Sequence, residues 1–195
     1  AEYFPGISIY DGEAYETPLG LVEIDQQMVD KLVENSKIIF RGIQGHRKEH
    51  ALEVQIPFLQ SVLKDFKIVP IVMGDQSKMF VDELADRISK IVDDETVVAA
   101  SSDMSHFYSA EEADRLDSVV EKRINDFDFD QLLLDLDDHE CEACGGGPIV
   151  AMMKAASLKS ITNSLVINRS DSGDITGDKS EVVGYLSAVI YQDWF

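Results

Sequence analysis

Short apolar runs of two different periods alternate along this chain, and that alternation limits the fold more than any other feature. Ile7-Ser8-Ile9-Tyr10 is a short β-like run. Thr17-Pro18-Leu19-Gly20 reads as a turn, and Leu21-Val22-Glu23-Ile24 as the strand or helix entry that follows. Asp25 is placed to cap a helix carrying Met28, Val29, Leu32 and Val33 on one face. A second helix is expected from about Glu49, with Leu52, Ile56, Leu59 and Leu63 in register and Pro57 kinking or breaking it. Residues 68–74 look like a buried strand ending at a glycine, although Pro70 weakens the pattern. Phe80, Leu84, Ile88 and Ile91 give residues 77–92 a helical period. Thr96-Val97-Val98-Ala99-Ala100-Ser101 carries the strongest strand pattern in the chain. Helices are expected over 110–127 and 130–136, and another from Gly145-Gly146-Gly147-Pro148 through Ala156. Two β-like runs, 164–168 and 182–191, close the chain around a polar, glycine-containing loop at 171–178. Such alternation predicts an α/β fold with a central mixed β-sheet and helices on both faces. The last two strands have no expected helix between them, so part of the sheet should be antiparallel. No internal repeat, low-complexity tract or linker divides residues 1–195, which predicts a single domain.

Composition removes several classes of function. With 45% apolar residues the chain can bury a core and is not disordered. No run of about 18 apolar residues appears, so no membrane-spanning helix is expected. The opening Ala1-Glu2-Tyr3-Phe4-Pro5-Gly6 has neither the basic nor the apolar region of a signal peptide. Against 37 acidic residues stand 17 basic ones, a net charge of −20. That surface repels phosphates, which argues against nucleic acid and anionic membranes as partners. Two cysteines, Cys141 and Cys144, are too few for a disulfide scaffold, and cytoplasmic residence is the expectation.

Three segments carry reactive side chains. Ser101-Ser102-Asp103-Met104-Ser105-His106 directly follows the strongest strand pattern, and ligands of open α/β sheets bind beyond such strand ends. An Asp and a His three residues apart there suit ligand contact or proton transfer, or else a capping Asp and a loop His. His46-Arg47-Lys48-Glu49-His50 matches the H-x-x-E-H pattern of a zinc protease, provided a helix puts both histidines on one face. The glycines at 42 and 45 place His46 in a loop instead, with His50 inside the helix. In His139-Glu140-Cys141-Glu142-Ala143-Cys144-Gly145-Gly146-Gly147-Pro148, Cys144 lies just before a helix entry, whose dipole favours a thiolate. A thiolate is a nucleophile and a soft metal ligand. The same segment also reads as a CxxC redox pair, as part of a zinc site, or as a packed cysteine beside a glycine turn. The three glycines are not a P-loop, because no Lys-Ser/Thr follows.

Taken together, Glu49-His50-Ala51-Leu52-Glu53-Val54-Gln55-Ile56-Pro57-Phe58-Leu59, Ser101-Ser102-Asp103-Met104-Ser105-His106 and Ala143-Cys144-Gly145-Gly146-Gly147-Pro148-Ile149 resemble the Memo family in content, order and spacing. Thr17-Pro18-Leu19 and the closing Gly184-Tyr185-Leu186-Ser187-Ala188 fit as well. The resemblance implies a fold like that of class III extradiol dioxygenases, which are non-haem iron enzymes. It implies a pocket in which His50 and Cys144 hold a metal, with Asp103 and His106 contributed by the Ser-Ser-Asp motif. In microbes it implies a functional link to a radical-SAM protein. The family also carries an earlier Gly-Pro-Asn/Ser-His segment with a further pocket histidine. The sequence as given starts after it, so a domain lacking its N-terminal strand and that histidine is expected. Two ligands hold a metal less tightly than three.

The function expected on this basis is a metal-binding redox protein acting on a small molecule. Iron, copper or zinc suits a His–Cys donor set. His106 would serve as acid/base and Asp103 would orient it. Three alternatives stand beside it: a binding module that uses a vestigial dioxygenase-like pocket for a peptide or phospho-ligand, a thiol redox protein using Cys141 and Cys144, and the zinc protease.

Overall fold

The computed structural model describes residues 2–47 and 49–192. The chain forms two compact units, the first running to Val97 and the second from Val98. Each is mixed α/β, as the alternation of periods predicts.

The first unit is built on β1 (Ile7–Tyr10), with β2 (Ala14–Thr17), β3 (Gly20–Glu23), α1 (Gln26–Val33), β4 (Ile39–Gly42), α2 (Ile56–Val62), β5 (Ile71–Met73) and α3 (Lys78–Ile91) following. β1 is the centre of a mixed sheet of order β4-β1-β5, parallel to β4 and antiparallel to β5. A strand buried on both faces should be a continuous apolar run. Ile7 and Ile9 are fully buried, and so is Ser8 between them. β2 and β3 form a hairpin around Pro18 and Leu19, closed by Thr17, which donates to the Gly20 carbonyl. α1 starts where expected: the Asp25 carboxylate accepts the Met28 N–H at 2.9 Å, filling one of the helix's orphan donors. α3 buries Phe80, Val81, Leu84, Ala85 and Ile88, which is the predicted stripe.

The second unit contains β6 (His106–Tyr108), α4 (Ala110–Asn125), α5 (Phe129–Asp137), α6 (Gly146–Leu158), β7 (Asn163–Asp171), α7 (Gly173–Thr176) and β8 (Val182–Tyr191). Its sheet has the order β6-β8-β7 and is antiparallel throughout, as expected for the final pair. α4 is capped by Ser109, with Glu111 and Glu112 in its first turn and Lys122 and Arg123 in its last, each matched to the helix dipole. α6 buries residues on every side, among them Gly146, Gly147, Val150, Ala151 and Met153, so it is the core helix of the unit.

Several local expectations are corrected. Residues 96–101 form no strand; they run outside any ladder among the described residues. β-branched residues favour an extended chain, but a strand also needs a neighbour to accept its hydrogen bonds. The helix expected from Glu49 starts at Ile56, and 51–55 are turns. Pro57 sits in its first turn, where a missing N–H costs nothing, so it marks a beginning instead of a kink. The loop at 171–178 contains α7. β2, β4 and β6 were not legible as strands.

Candidate functional site

In the second unit, residues 101–106 and 143–146 are laced together through Cys144. The Asp103 N–H donates to Cys144 Sγ at 3.2 Å, and the Cys144 N–H donates back to the Asp103 carbonyl at 3.1 Å. Ser102 Oγ accepts the Gly145 N–H at 2.8 Å, donates to the Asp103 carbonyl at 2.6 Å and lies 3.7 Å from Sγ. Two segments approach this closely only because residue 145 is glycine. A Cβ there would stand 2.6 Å from the Ser101 carbonyl oxygen and 2.9 Å from Ser102 Cβ. The Cys144 thiol is exposed at the entry of α6.

Asp103 Oδ2 lies 3.6 Å from His106 Nε2, with the carboxylate half-exposed and the imidazole a third exposed. Thus Asp103 touches both partners, the thiol through its backbone and the imidazole through its side chain. His106 begins β6 and pairs with Val183 of β8, while Phe107 beside it adopts a positive φ of 63° at a register shift. Such a bulge re-aims neighbouring side chains. One residue on, the Tyr108 hydroxyl donates to Glu142 Oε1 at 2.7 Å and ties β6 to the cysteine loop.

Behind this lacework is a buried carboxylate. Asp117 of α4 accepts the Ser105 N–H at 3.0 Å. Burial pushes its carboxyl above the usual range, and hydrogen bonding to Ser105 pulls the other way. Met104 donates to the Gly184 carbonyl and Gly184 donates to the Ser105 carbonyl, so β8 continues its pairing into the site segment. Tyr108 and Asp117 were missed in the sequence, and Ser102 and Glu142 stood in the quoted segments without these contacts. Asp117 alone had a signal: it interrupts the apolar stripe Ala113, Leu116, Val120, Ile124 at helical spacing. Asp117 also borders a polar cavity of about 420 Å³ between α4 and β7. Arg169 pairs there with Asp114 and Glu121, each at 2.8 Å.

The other cysteine behaves differently. Cys141 is buried, and burial pushes its thiol up to about 11. Neither Cys141 nor Cys144 is part of a disulfide. A buried thiol held protonated is a poor partner for exchange, which weighs against the CxxC reading.

In the first unit, His46 and His50 form no helical pair. His46 Nε2–H donates to the Ser8 carbonyl and Nδ1 accepts the Tyr15 hydroxyl, both at 3.2 Å. With both ring nitrogens engaged, His46 has no lone pair to offer a metal. Glu49, the base of the protease pattern, instead accepts the N–H groups of His50 and Ala51 at 2.9 and 3.0 Å. Lys48 of that string lies outside the described residues. His50 is exposed, and its Nδ1 lies 2.6 Å from Glu53 Oε1, which leaves Nε2 to the solvent side.

The His46 cluster carries a pH signature. Burial lowers its pKa, with the Ser8 hydrogen bond opposing, while burial raises Tyr15 to about 12. A folded state that resists protonation takes up fewer protons than the unfolded chain, so stability falls as pH drops through the ordinary histidine value of about 6.5. Urea midpoints should decline between pH 7.5 and 5.5 in the wild type, and the slope should flatten in His46→Gln.

These features define an α/β protein with a Cys–Asp–His constellation on two interlaced backbone segments. A family model described as "Memo-like protein" matches residues 3–189, and the chain belongs to that family. It is 36% identical over 186 residues to a MEMO1 family protein of Methanobrevibacter smithii, covering 94% of this chain and 66% of that one. A MEMO1 family protein of Methanocaldococcus jannaschii is 37% identical over 192 residues, covering 95% and 67%. One from Sulfurisphaera tokodaii is 38% identical over 186 residues, covering 93% and 65%. The chain therefore spans about two thirds of the length of these relatives. No described helix is long and apolar enough to cross a membrane.

Proposed function

We propose that this Memo-family chain belongs to a metal-dependent redox protein acting on a small molecule, with His50 and Cys144 as metal ligands and Asp103 and His106 as the acid–base pair. The observation that carries the reading is the state of the donor atoms. Cys144 Sγ is exposed and held by a backbone N–H, and His50 has one ring nitrogen fixed and the other free. Among the described residues no group of three or more His, Cys, Asp or Glu side chains could hold a metal ion, so the assignment of these two donors rests on the family resemblance. Thiolate and imidazole suit iron, copper or zinc better than magnesium. When bound, such an ion supplies a Lewis-acidic centre and, for iron or copper, an electron carrier.

The chain's own residues supply the rest. The Asp103 N–H offsets part of the charge of a Cys144 thiolate, because a hydrogen bond to a charged acceptor is stronger than one to a neutral group. The Asp103 carboxylate faces His106 Nε2 and orients the ring, which leaves Nδ1 as the nitrogen that holds or delivers a proton. A distance of 3.6 Å is long for a hydrogen bond, as is common for catalytic pairs before substrate closes the site. The acidic surface disfavours nucleic acids and anionic membranes as partners. A functional tie to a radical-SAM protein and a cytoplasmic site of action belong to the same proposal.

Metal analysis after loading tests it. His50→Ala and Cys144→Ser should each retain less than half the iron, copper or zinc bound by the wild type. Equal metal in all three proteins would overturn the ligand assignments.

A further inference from the structure

We propose that the outer face of the β7–β8 ribbon is a docking surface for a second copy of this chain, the two ribbons packing face to face about a two-fold axis. The inference goes beyond the site at Cys144 and does not depend on it. Its starting point is which side chains face α4. Gly184 of β8 lies against the Asp117 carboxylate, and Arg169 of β7 reaches Glu121 at 2.8 Å, so both residues point at the helix. The register agrees, with Asp171 opposite Gly184 and Arg169 opposite Leu186. Side chains alternate across a strand. Tyr185, Val189 and Tyr191 of β8 therefore point away from α4, and so does Leu165 of β7, which lies opposite Val189. Ile167, at the register shift between Val166 and Asn168, is exposed with them. These five side chains are 41% to 61% exposed.

An antiparallel sheet with one face on its core normally turns polar residues outward. This one turns apolar residues outward and no charge at all. The remaining outward positions are Asn163, Asn168, Ser170 and Ser187. β8 holds no charged residue over its whole length, in a chain that is 28% charged. Both charges of β7, Arg169 and Asp171, lie on the α4 side, where they border the groove.

Charge and area name the occupant. At −20, two copies repel each other wherever their acidic surfaces meet. On this face neutral surface meets neutral surface. A basic partner, drawn by the acidity elsewhere, would find no carboxylate here to pair with. A two-fold axis uses the same patch on both copies and closes the assembly. Two sheets packed this way interdigitate their side chains at a spacing of ~10 Å. The five apolar side chains expose on the order of 500 Å² per copy, as much as the largest patch on a typical monomer. A pair would bury about 1,000 Å², the lower limit for a specific interface, so the dimer is weak and reversible.

Sedimentation velocity from about 10 μM to about 1 mM protein tests this, at roughly 50 and 500 mM salt. The wild type should pass from monomer to dimer with a midpoint on the order of 100 μM. High salt should lower that midpoint several-fold, because screening removes the repulsion between the acidic chains and leaves the neutral contact intact. Val189→Lys should raise the midpoint about tenfold or more, since the axis brings like charges into an apolar contact. Leu165→Ser removes apolar area without adding charge and should raise it several-fold, which keeps the test open if the lysine variant does not fold. Ser118→Lys, on the exposed side of α4, is the control and should leave the midpoint within about twofold of the wild type. Circular dichroism checks that each variant is folded. A wild type that stays monomeric throughout, or an association that weakens with salt, would overturn the proposal. So would folded Val189→Lys and Leu165→Ser proteins that dimerise like the wild type, or a Ser118→Lys shift as large as theirs.

Discussion

Gly184→Ala is expected to destabilise the second unit by about 4 kcal/mol. Overpacking a close contact costs ~1–3 kcal/mol, and stranding a buried hydrogen-bonding group adds ~1–3 kcal/mol. A Cβ at residue 184 would fall 1.8 Å from Asp117 Oδ2, inside the carboxylate itself. Asp117 is 2% exposed, so it has no room to swing into water, and moving it would strip the Ser105 N–H of its acceptor. The damage should reach the site as well, because Gly184 pairs through its backbone with Met104 and Ser105, directly before His106. The measurement is a urea melt, with Asp117→Ala/Gly184→Ala beside the single variants. Removing the carboxylate should make room for the new methyl, so the double variant should be more stable than the sum of the two single losses predicts. Strict additivity would mean that the two residues do not meet.

Gly145→Ala should act more locally. A glycine in a φ region open to other residues normally gains stability on conversion to alanine, by ~0.4–1 kcal/mol through the unfolded chain. Gly145 has φ −107°, so that gain applies in principle. Against it stands a Cβ 2.6 Å from the Ser101 carbonyl, a backbone atom that cannot swing aside. At about 2 kcal/mol of overpacking the clash wins. The expected result is a net loss of ~1–2 kcal/mol, together with separation of the two laced segments. Thiol alkylation at Cys144 should change in rate, because Sγ would lose the Asp103 N–H. An unchanged alkylation rate would show that the lacework does not hold the thiol.

What the sequence revealed and what it hid divide along physical lines. Local signals read true. Asp25 caps α1 through its own carboxylate, the stripe of α3 is buried as spaced, and Ile7–Tyr10 is a strand at the residues expected. Features that depend on a distant partner did not. Residues 96–101 have every local mark of a strand yet join no ladder among the described residues, while β4 and β6 have plain local patterns and become strands because β1 and β8 lie beside them. The helix expected at His50 failed because its apolar spacing was counted from Leu52, whereas Pro57 set the true start.

The site was partly legible for the same reason. Asp103 and His106 are three residues apart, so one short segment carries both. That Cys144 sits on the Asp103 backbone follows from Gly145 and Ser102, whose roles are geometric and leave no mark in composition. His50 and His46 differ, but not by the helix the spacing suggested: Tyr15 and Ser8 consume the ring nitrogens of His46, and Glu53 takes only one nitrogen of His50.

The central claim is that Cys144 supplies a thiolate to a metal ion. Cobalt(II) reports this directly, because a thiolate bound to it gives an intense near-ultraviolet charge-transfer band that nitrogen and oxygen ligands do not. The band should appear on titrating wild-type protein with cobalt, persist in Cys141→Ser and vanish in Cys144→Ser. A band that survives Cys144→Ser, or that never forms in the wild type, would contradict the account.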